Sequence, residues 1–187
     1  MERKPLKKPK IGLYSIGLKA YWAQFPGLRE RLIEYGTFLQ TKLEALGAEV
    51  CRFDLVDCEQ AGQAAGKWFN EKDVDLIFCH SATYCTSACV LPVHQICRAP
   101  AVVLNLQPTA RIRYDVTTTG EWLAHCGACP VPELFNAFQR AGIPFRVVNG
   151  LLGLDHTPQI SLPDENTAGP RRSAPGRRSA SGWTPRA

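Results

Sequence analysis

The sequence predicts an α/β fold: a flavodoxin-like, doubly wound parallel sheet of about five strands in the order 2-1-3-4-5, with helices on both faces. Short apolar runs rich in Val, Ile and Leu alternate along the chain with segments of helical periodicity, which is the pattern of a parallel α/β fold. The run at residues 74–79 is nearly continuous in apolar residues, as expected for a strand buried on both faces. Right-handed crossovers between such strands give the predicted order.

The elements follow one another without long gaps, except before the last helix. Because β-branched and other apolar residues concentrate in five short runs, strands are predicted at residues 10–15, 49–55, 74–79, 101–106 and 145–149. Helices are predicted between them, at residues 59–70, 87–97 and 131–141, after a first helix that ends at Gly47. We expect Pro92 in or near the first turn of its helix, where proline is tolerated.

The first helix carries the clearest periodic signal. Its apolar residues recur at spacings of three and four and should form one stripe against the sheet: Leu28, Leu32, Tyr35, Leu39, Leu43 and Leu46. Pro26 is predicted in the first turn, because its missing N–H has no helical partner there. Gly47 is a typical residue for ending a helix.

A long polar loop follows the fourth strand and contains the candidate site. Ligands of open α/β sheets bind beyond the carboxyl ends of the strands, and everything from residue 109 to residue 129 lies beyond that end. The polar and aromatic side chains best placed to meet a ligand are Asn105, Gln107, Asp115, Trp122 and His125.

Two common uses of this fold do not fit the loops. A flavin-binding loop needs small residues whose backbone amides converge on phosphate, whereas residues 15–22 (SIGLKAYW) contain one glycine and bulky side chains. A phosphoacceptor domain needs an aspartate after the third strand, where this chain has Cys79, His80 and Ser81.

The charge of the chain does not indicate nucleic-acid binding. The formal net charge is +5, from 22 basic and 17 acidic residues. Five basic residues precede Ile11 and five follow Thr167, so the body between these ends has twelve basic and sixteen acidic residues. A nucleic-acid-binding face built into the fold would keep its positive charge. We expect no nucleic-acid partner, and no membrane partner either, since no apolar run approaches the ~20 residues of a membrane-spanning helix.

The eight cysteines are expected to be free thiols, because several lie inside apolar strands. Two pairs, Cys85 with Cys89 and Cys126 with Cys129, have a spacing that could serve a zinc site, a redox couple or packing at helix ends. Packing is the favoured interpretation. A zinc-binding module would have to lose its fold on chelation.

Four spaced segments resemble the amino-terminal region of L-fucose isomerase and L-arabinose isomerase-like proteins. They are residues 104–108 (LNLQP), residues 122–130 (WLAHCGACP), residues 10–15 (KIGLYS) and residues 79–83 (CHSAT). The resemblance extends over roughly residues 10–167. It implies an aldose–ketose isomerase of carbohydrate metabolism, cytoplasmic and homo-oligomeric, that uses a divalent metal, usually Mn²⁺.

The resemblance also implies where a small-molecule sugar would be contacted. In this family the amino-terminal domain of one subunit helps to close the active site of its neighbour, while the metal ligands lie beyond the end of this chain. Carried over by position, the substrate-binding residues are His125, Tyr21 and Gln107. No catalytic residue and no metal ligand is expected in this chain. Leu18 stands where arabinose isomerases carry a glutamine, which leaves the sugar open.

The aromatic residues and histidines singled out above could also have purely structural roles. Tyr21 and Trp22 offer aromatic faces that could stack on a sugar or a neighbouring subunit, although plain packing is the commoner role. His80 and His125 are the histidines favoured for ligand contact, and each could instead hold a loop by bonding a backbone carbonyl. His94 lies at helical spacing and is expected to be a satisfied surface or core residue, and His156, in the exit segment, to be structurally idle.

Four regions are predicted along the chain. Residues 1–9 form a basic extension, residues 10–155 the α/β domain, residues 156–167 an exit segment and residues 168–187 a disordered tail of Arg, Ala, Ser, Pro and Gly. The abrupt change near Thr167 suggests a frameshift or premature end, with a genuine linker or basic tail as the alternative. We therefore expect a truncated isomerase domain that is inactive alone, or else a stand-alone sugar-binding or assembly module.

Overall fold

Five parallel strands form one sheet in the order β2-β1-β3-β4-β5, as predicted. The computed structural model describes residues 7–154, so the predicted exit segment and tail, and most of the basic extension, lie outside the described residues. The strands are β1 (Lys10–Ile16), β2 (Glu49–Val56), β3 (Leu76–His80), β4 (Ala101–Gln107) and β5 (Phe145–Leu151). Every neighbouring pair is parallel.

Helices cover both faces of the sheet, which confirms the predicted doubly wound architecture. They are α1 (Leu28–Ala45), α2 (Glu59–Glu71), α3 (Ser87–Ile96), α4 (Thr119–Leu123) and α5 (Val131–Arg140), with 3-10 turns at Lys19–Tyr21 and Cys126–Ala128. Alternate residues of a strand face opposite sides. Accordingly, Tyr14 packs with side chains of α2, α3 and α5, whereas Leu13 packs with those of α1 and α4.

The first helix begins later than predicted. Gly27, in the left-handed region at φ 84°, precedes Leu28, so Pro26 lies before the helix and not in its first turn. The apolar stripe is buried at Leu28, Leu32, Tyr35 and Leu39, whereas Leu46 is 84% exposed because the helix has already ended. Gly47 has φ 92°, a conformation that favours glycine and ends the helix as predicted.

Two other boundaries differ from the prediction. The third strand begins at Leu76 and runs through His80, so His80 lies within the strand and not beyond it. Pro92 lies in the interior of α3 and not near its first turn. A proline there has no N–H to donate to the carbonyl four residues earlier. That carbonyl belongs to Ala88, an exposed residue, where water can replace the missing donor.

No helix within residues 7–154 is both long and apolar enough to cross a membrane.

Candidate functional site

A cleft lies just beyond the carboxyl end of β4, where the sequence predicts the site. Its volume is about 440 Å³. The lining residues come from the end of β4, from the irregular segment that follows and from the turn between α4 and the 3-10 turn Cys126–Ala128: Gln107, Thr109, Ala110, Arg111, Ile112, Tyr114 and His125. Two of the three residues implied by the family resemblance, Gln107 and His125, thus line the same cleft.

The segment that carries His125 is fixed by its own capping and by the neighbouring loop. Thr118 and Glu121 form a reciprocal capping box that starts α4, with each side chain bonded to the other's backbone N–H. The Thr83 hydroxyl donates to the Leu123 carbonyl at 2.7 Å, and the Ser81 hydroxyl donates to the Gly127 carbonyl at 2.5 Å. The loop after β3 therefore holds both sides of His125 in place.

The hydrogen bonds of His125 define which ring nitrogen is available to a ligand. Its Nδ1 lies 2.8 Å from the Glu121 carbonyl oxygen, which can only accept, so Nδ1 carries the proton in the neutral ring. Nε2 is then an acceptor, 3.2 Å from the Thr109 hydroxyl. That hydroxyl is also 2.9 Å from the Arg111 carbonyl. It donates its single proton to that carbonyl, so Nε2 of His125 is left to accept from a ligand's donor.

Gln107 brings a side-chain amide to the same cleft at the last residue of β4. Its backbone carbonyl accepts from the Leu152 N–H at 2.7 Å, which joins the end of β4 to the segment after β5. Within the described part of the chain, its amide makes no side-chain hydrogen bond. An amide has both donors and an acceptor, so the Gln107 side chain can either donate a hydrogen bond to a ligand hydroxyl or accept one from it.

Tyr21, the third residue implied by the resemblance, does not line this cleft. It ends the 3-10 turn after β1, and its ring meets Phe25 edge-on at 5.8 Å between centroids. Partial burial raises the pKa of Tyr21, and the nearby thiols of Cys126 and Cys129 add to the effect. Tyr21 therefore lies near the turn that follows His125. The adjacent Trp22 donates from its indole to Asp57 at 2.7 Å, consistent with a packing role.

The remaining residues predicted for the loop lie outside the cleft. Asn105 donates to the Asn149 side chain at 2.8 Å and so ties β4 to β5. Asp115 forms a surface ion pair with Arg113 at 2.7 Å, and this hydrogen bond lowers the pKa of Asp115. Trp122 is 42% exposed. The sequence analysis did not single out Arg111 and Tyr114, which line the cleft. The signal that could have indicated them is their position in the loop that follows Pro108.

His80 is closed off from ligands in this structure. It is fully buried, with Nδ1 3.0 Å from the Ser15 hydroxyl. Burial lowers the pKa of His80 to about 4, which keeps the ring neutral at pH 7. Of the two positions expected for His94, surface or core, the structure places it in the core, with its Nε2 2.9 Å from the Tyr14 hydroxyl.

A second cleft, of about 530 Å³, lies at the opposite edge of the sheet. It is formed by the amino-terminal ends of β3, β4 and β5, and apart from Arg146 its lining is apolar: Leu76, Pro100, Ala101, Val102, Pro144 and Phe145. Ligand sites of this architecture need convergent polar groups and lie at the carboxyl ends of strands. The cleft of Gln107 and His125 meets both conditions, and the larger cleft meets neither.

No protein-family model and no curated protein sequence matches the chain. Among solved structures, it is similar to the lac repressor dimer bound to operator and the anti-inducer ONPF, at 12% identity and a TM-score of 0.39, over 78% of this chain and 49% of that one. The complex of the transcriptional regulator CelR with cellobiose matches at 8% identity and a TM-score of 0.36, over 78% and 52%. A protein of Bacteroides fragilis assigned as an acylhydrolase matches at 9% and 0.35, over 76% and 71%.

The chain thus spans about half the length of the two regulators. At these levels of similarity no function can be carried over from the three proteins. The fold of this chain rests on its own strand order and helix placement.

Proposed function

We propose that residues 10–155 are the amino-terminal domain of an L-fucose or L-arabinose isomerase-like protein, and that the domain binds a small sugar in the cleft of Gln107 and His125. The observation that carries the proposal is that these two residues, both implied by the family resemblance, line one cleft at the carboxyl end of β4. Tyr21, the third such residue, lies at the same edge of the sheet, after β1.

The chemistry of the cleft suits a polyhydroxylated ligand. His125 offers a hydrogen-bond acceptor, the Gln107 amide offers donors and an acceptor, and the Arg111 side chain offers donors. Tyr114, 76% exposed, presents an aromatic ring that can pack on the apolar face of a sugar. The volume of about 440 Å³ falls in the range of about 300–1,000 Å³ usual for small-molecule sites.

Manganese chemistry does not fit the described residues. Residues 7–154 contain no group of three or more His, Cys, Asp or Glu side chains that could hold a metal ion. The ligands for the metal that the resemblance implies would have to come from another part of the protein. We therefore assign substrate contact to this domain and no chemical step.

The purified chain supplied with Mn²⁺ is expected to convert neither L-fucose nor L-arabinose. The reason is that the described domain has side chains to contact a sugar but no set of metal ligands to polarise its oxygens. The measurement is ketose formation from each aldose against a buffer blank. Turnover above the blank would contradict this assignment.

Sugar binding is expected to raise the melting temperature of the chain. A ligand that binds only the folded state stabilises it by about 2.7 kcal/mol at a hundred times its Kd. His125→Asn keeps a donor towards the Glu121 carbonyl but removes the Nε2 acceptor, and Gln107→Met removes the amide at similar volume. Each should weaken binding by about fivefold, which corresponds to about 1 kcal/mol for one hydrogen bond.

Asp115→Asn is the matched control, because Asp115 lies in the same segment but outside the cleft. Titrations with L-fucose, L-arabinose and their D-enantiomers would be followed by thermal unfolding. If no sugar shifts the wild-type transition, the binding proposal fails. If His125→Asn and Gln107→Met both bind as tightly as the control, the sugar binds elsewhere.

A second candidate is a module for subunit assembly without catalysis. Among residues 7–154, β5 pairs only with β4 and so forms one edge of the sheet, and its Val148 and Leu151 are 48% and 49% exposed. An exposed apolar edge strand is a common surface for association. Sedimentation would detect self-association, and Val148→Lys should weaken it if β5 is the contact.

A further inference from the structure

Two thiols are held together in the turn that follows His125. Cys126–Ala128 is a 3-10 turn, and the N–H of Cys129 donates to the Cys126 carbonyl at 3.2 Å. A 3-10 helix has three residues per turn, so side chains three residues apart are aligned. The Sγ atoms of Cys126 and Cys129 are accordingly 2.6 Å apart, and both cysteines are free.

The two thiols differ in access. Cys129 is exposed, whereas Cys126 is 6% exposed. Burial raises the pKa of the Cys126 thiol to about 12, and the neighbouring Cys129 adds to the effect. Cys129 is therefore the thiol that an external reagent can reach, and Cys126 stays protonated behind it.

The other sequence-predicted pair is built differently. Cys85 and Cys89 are both buried, and each sulfur has a nearby oxygen: the Thr86 carbonyl lies 3.5 Å from the Cys85 sulfur, and the Thr86 hydroxyl lies 3.4 Å from the Cys89 sulfur. Neither cysteine of this pair is exposed in the way that Cys129 is. Packing therefore remains the interpretation for Cys85 and Cys89, whereas the pair of Cys126 and Cys129 has one exposed thiol.

We propose that Cys126 and Cys129 are a reversible dithiol–disulfide site that exchanges with low-molecular-weight disulfides of the glutathione type. The Cys129 thiolate attacks one sulfur of the external disulfide, and the bond between the two external sulfurs breaks. One external thiolate leaves and a mixed disulfide forms at Cys129. The Cys126 sulfur then attacks the Cys129 sulfur, the bond to the second external sulfur breaks, and that external thiolate leaves and takes up the proton that Cys126 loses. The pair of cysteines is oxidised by two electrons and the external disulfide is reduced to two thiols.

The chain is well suited to a direct test by mass. Trypsin cuts after Arg113 and after Arg140, and the peptide between them, residues 114–140, contains Cys126 and Cys129 and no other cysteine. The full chain would be equilibrated with excess oxidised glutathione, alkylated under denaturing conditions with iodoacetamide and digested. The expected peptide is lighter than its dithiol form by two hydrogens, and it carries neither an alkyl group nor glutathione. Dithiothreitol should restore two alkylation sites.

The mass of the same peptide also reveals a result that contradicts the proposal. The proposal would be overturned if the wild-type peptide kept two alkylated cysteines or ended as a stable glutathione adduct. This measurement uses the wild-type chain alone, so it does not depend on whether a variant folds. In Cys126→Ser, checked for folding by circular dichroism, Cys129 should retain one glutathione because the resolving thiol is gone. In Cys129→Ser the peptide should react at least about tenfold more slowly, since the remaining thiol is buried. Equal reactivity of the two variants would contradict the assigned order of attack.

Cys51→Ser combined with Cys58→Ser is the matched control. Both residues are half-buried and lie outside the peptide. The loss of two hydrogens at residues 114–140 should be unchanged in this control, and a change would show that the disulfide forms through another cysteine.

Discussion

The free energy of unfolding is expected to fall by several kcal/mol when the pH is lowered from 7 to 4. His80 and His94 are both buried, and burial lowers the pKa of each to about 4 from an ordinary value of 6.5. Between these values the unfolded chain binds protons at both histidines and the folded chain does not. Acid therefore favours the unfolded chain, by roughly 3 kcal/mol for each histidine once the pH has fallen through the whole window.

The burial of both rings explains why they remain neutral when folded. His80 faces the Ser15 hydroxyl, and His94 faces the Tyr14 hydroxyl and the edge of the Phe138 ring. Neither ring has a carboxylate among these partners. The second nitrogen of each, Nε2 of His80 and Nδ1 of His94, is buried without a hydrogen-bond partner, so an added proton there would have no acceptor.

Urea unfolding at pH 7, 5.5 and 4.5 would measure this dependence. His94→Gln removes one titrating group and keeps a side chain that can bond the Tyr14 hydroxyl, so its pH dependence should be shallower than that of the wild type. Val93→Ala is the control: it alters the buried face of the same helix without removing a titrating group and should lower stability equally at each pH. A wild-type stability that is constant from pH 7 to pH 4.5 would contradict the prediction.

The sheet could be predicted because its signals are local and agree with one another. Apolar runs, the stripe from Leu28 to Leu39 and the glycine at Gly47 all indicate the same alternation of strands and helices. The strand order followed from that alternation and the handedness of crossovers, and the structure confirms it. The short helix α4 was not predicted, although Thr118 and Glu121 have the spacing of a capping box.

The errors concern features that tertiary packing decides. Pro92 lies inside α3 because α3 is short and buried, and packing outweighs the local preference of proline for a first turn. His80 was expected just past a strand end, but β3 extends through it and its ring is buried beside Ser15. A shift of one residue at a strand end thus separates a ligand-facing histidine from a core histidine.

The candidate site was predictable only in part, because tertiary packing also decides which loop residues meet there. Gln107 and His125 could be expected together because both follow from the position of the β4 end and the loop beyond it. The position of Tyr21 outside the cleft depends on the path of the loop after β1, which no periodicity encodes. Nor does the spacing of Cys126 and Cys129 distinguish packed thiols from thiols that face each other. That distinction depends on the 3-10 turn.

Gly62→Ala is expected to destabilise the protein by roughly 2–4 kcal/mol, even though alanine is the better helix former by about 1 kcal/mol. Gly62 lies in α2 where α3 crosses it, and a methyl group there would overlap the backbone carbonyl of Cys89. Gly66, one turn later, faces α3 in the same way, with the Val93 carbonyl 2.9 Å from the position of a Cβ. Since the obstacle is backbone in both cases, no change of rotamer can relieve the overlap, and the two helices would have to separate.

Gly120→Ala distinguishes this contact from the general effect of replacing a helical glycine. Gly120 lies in α4, and the nearest atoms to its Cβ position are those of the Phe25 side chain at 3.6–4.0 Å, which is ordinary van der Waals contact. There the gain in helix propensity should be retained, so this variant is expected to be as stable as the wild type or more stable by up to about 1 kcal/mol. Urea unfolding of both variants measures the difference. If Gly62→Ala were as stable as Gly120→Ala, α2 and α3 could not be in backbone contact at this point. If Gly62→Ala lowers the free energy of unfolding and Gly120→Ala does not, the close approach of α2 to α3 is the reason that position 62 requires glycine.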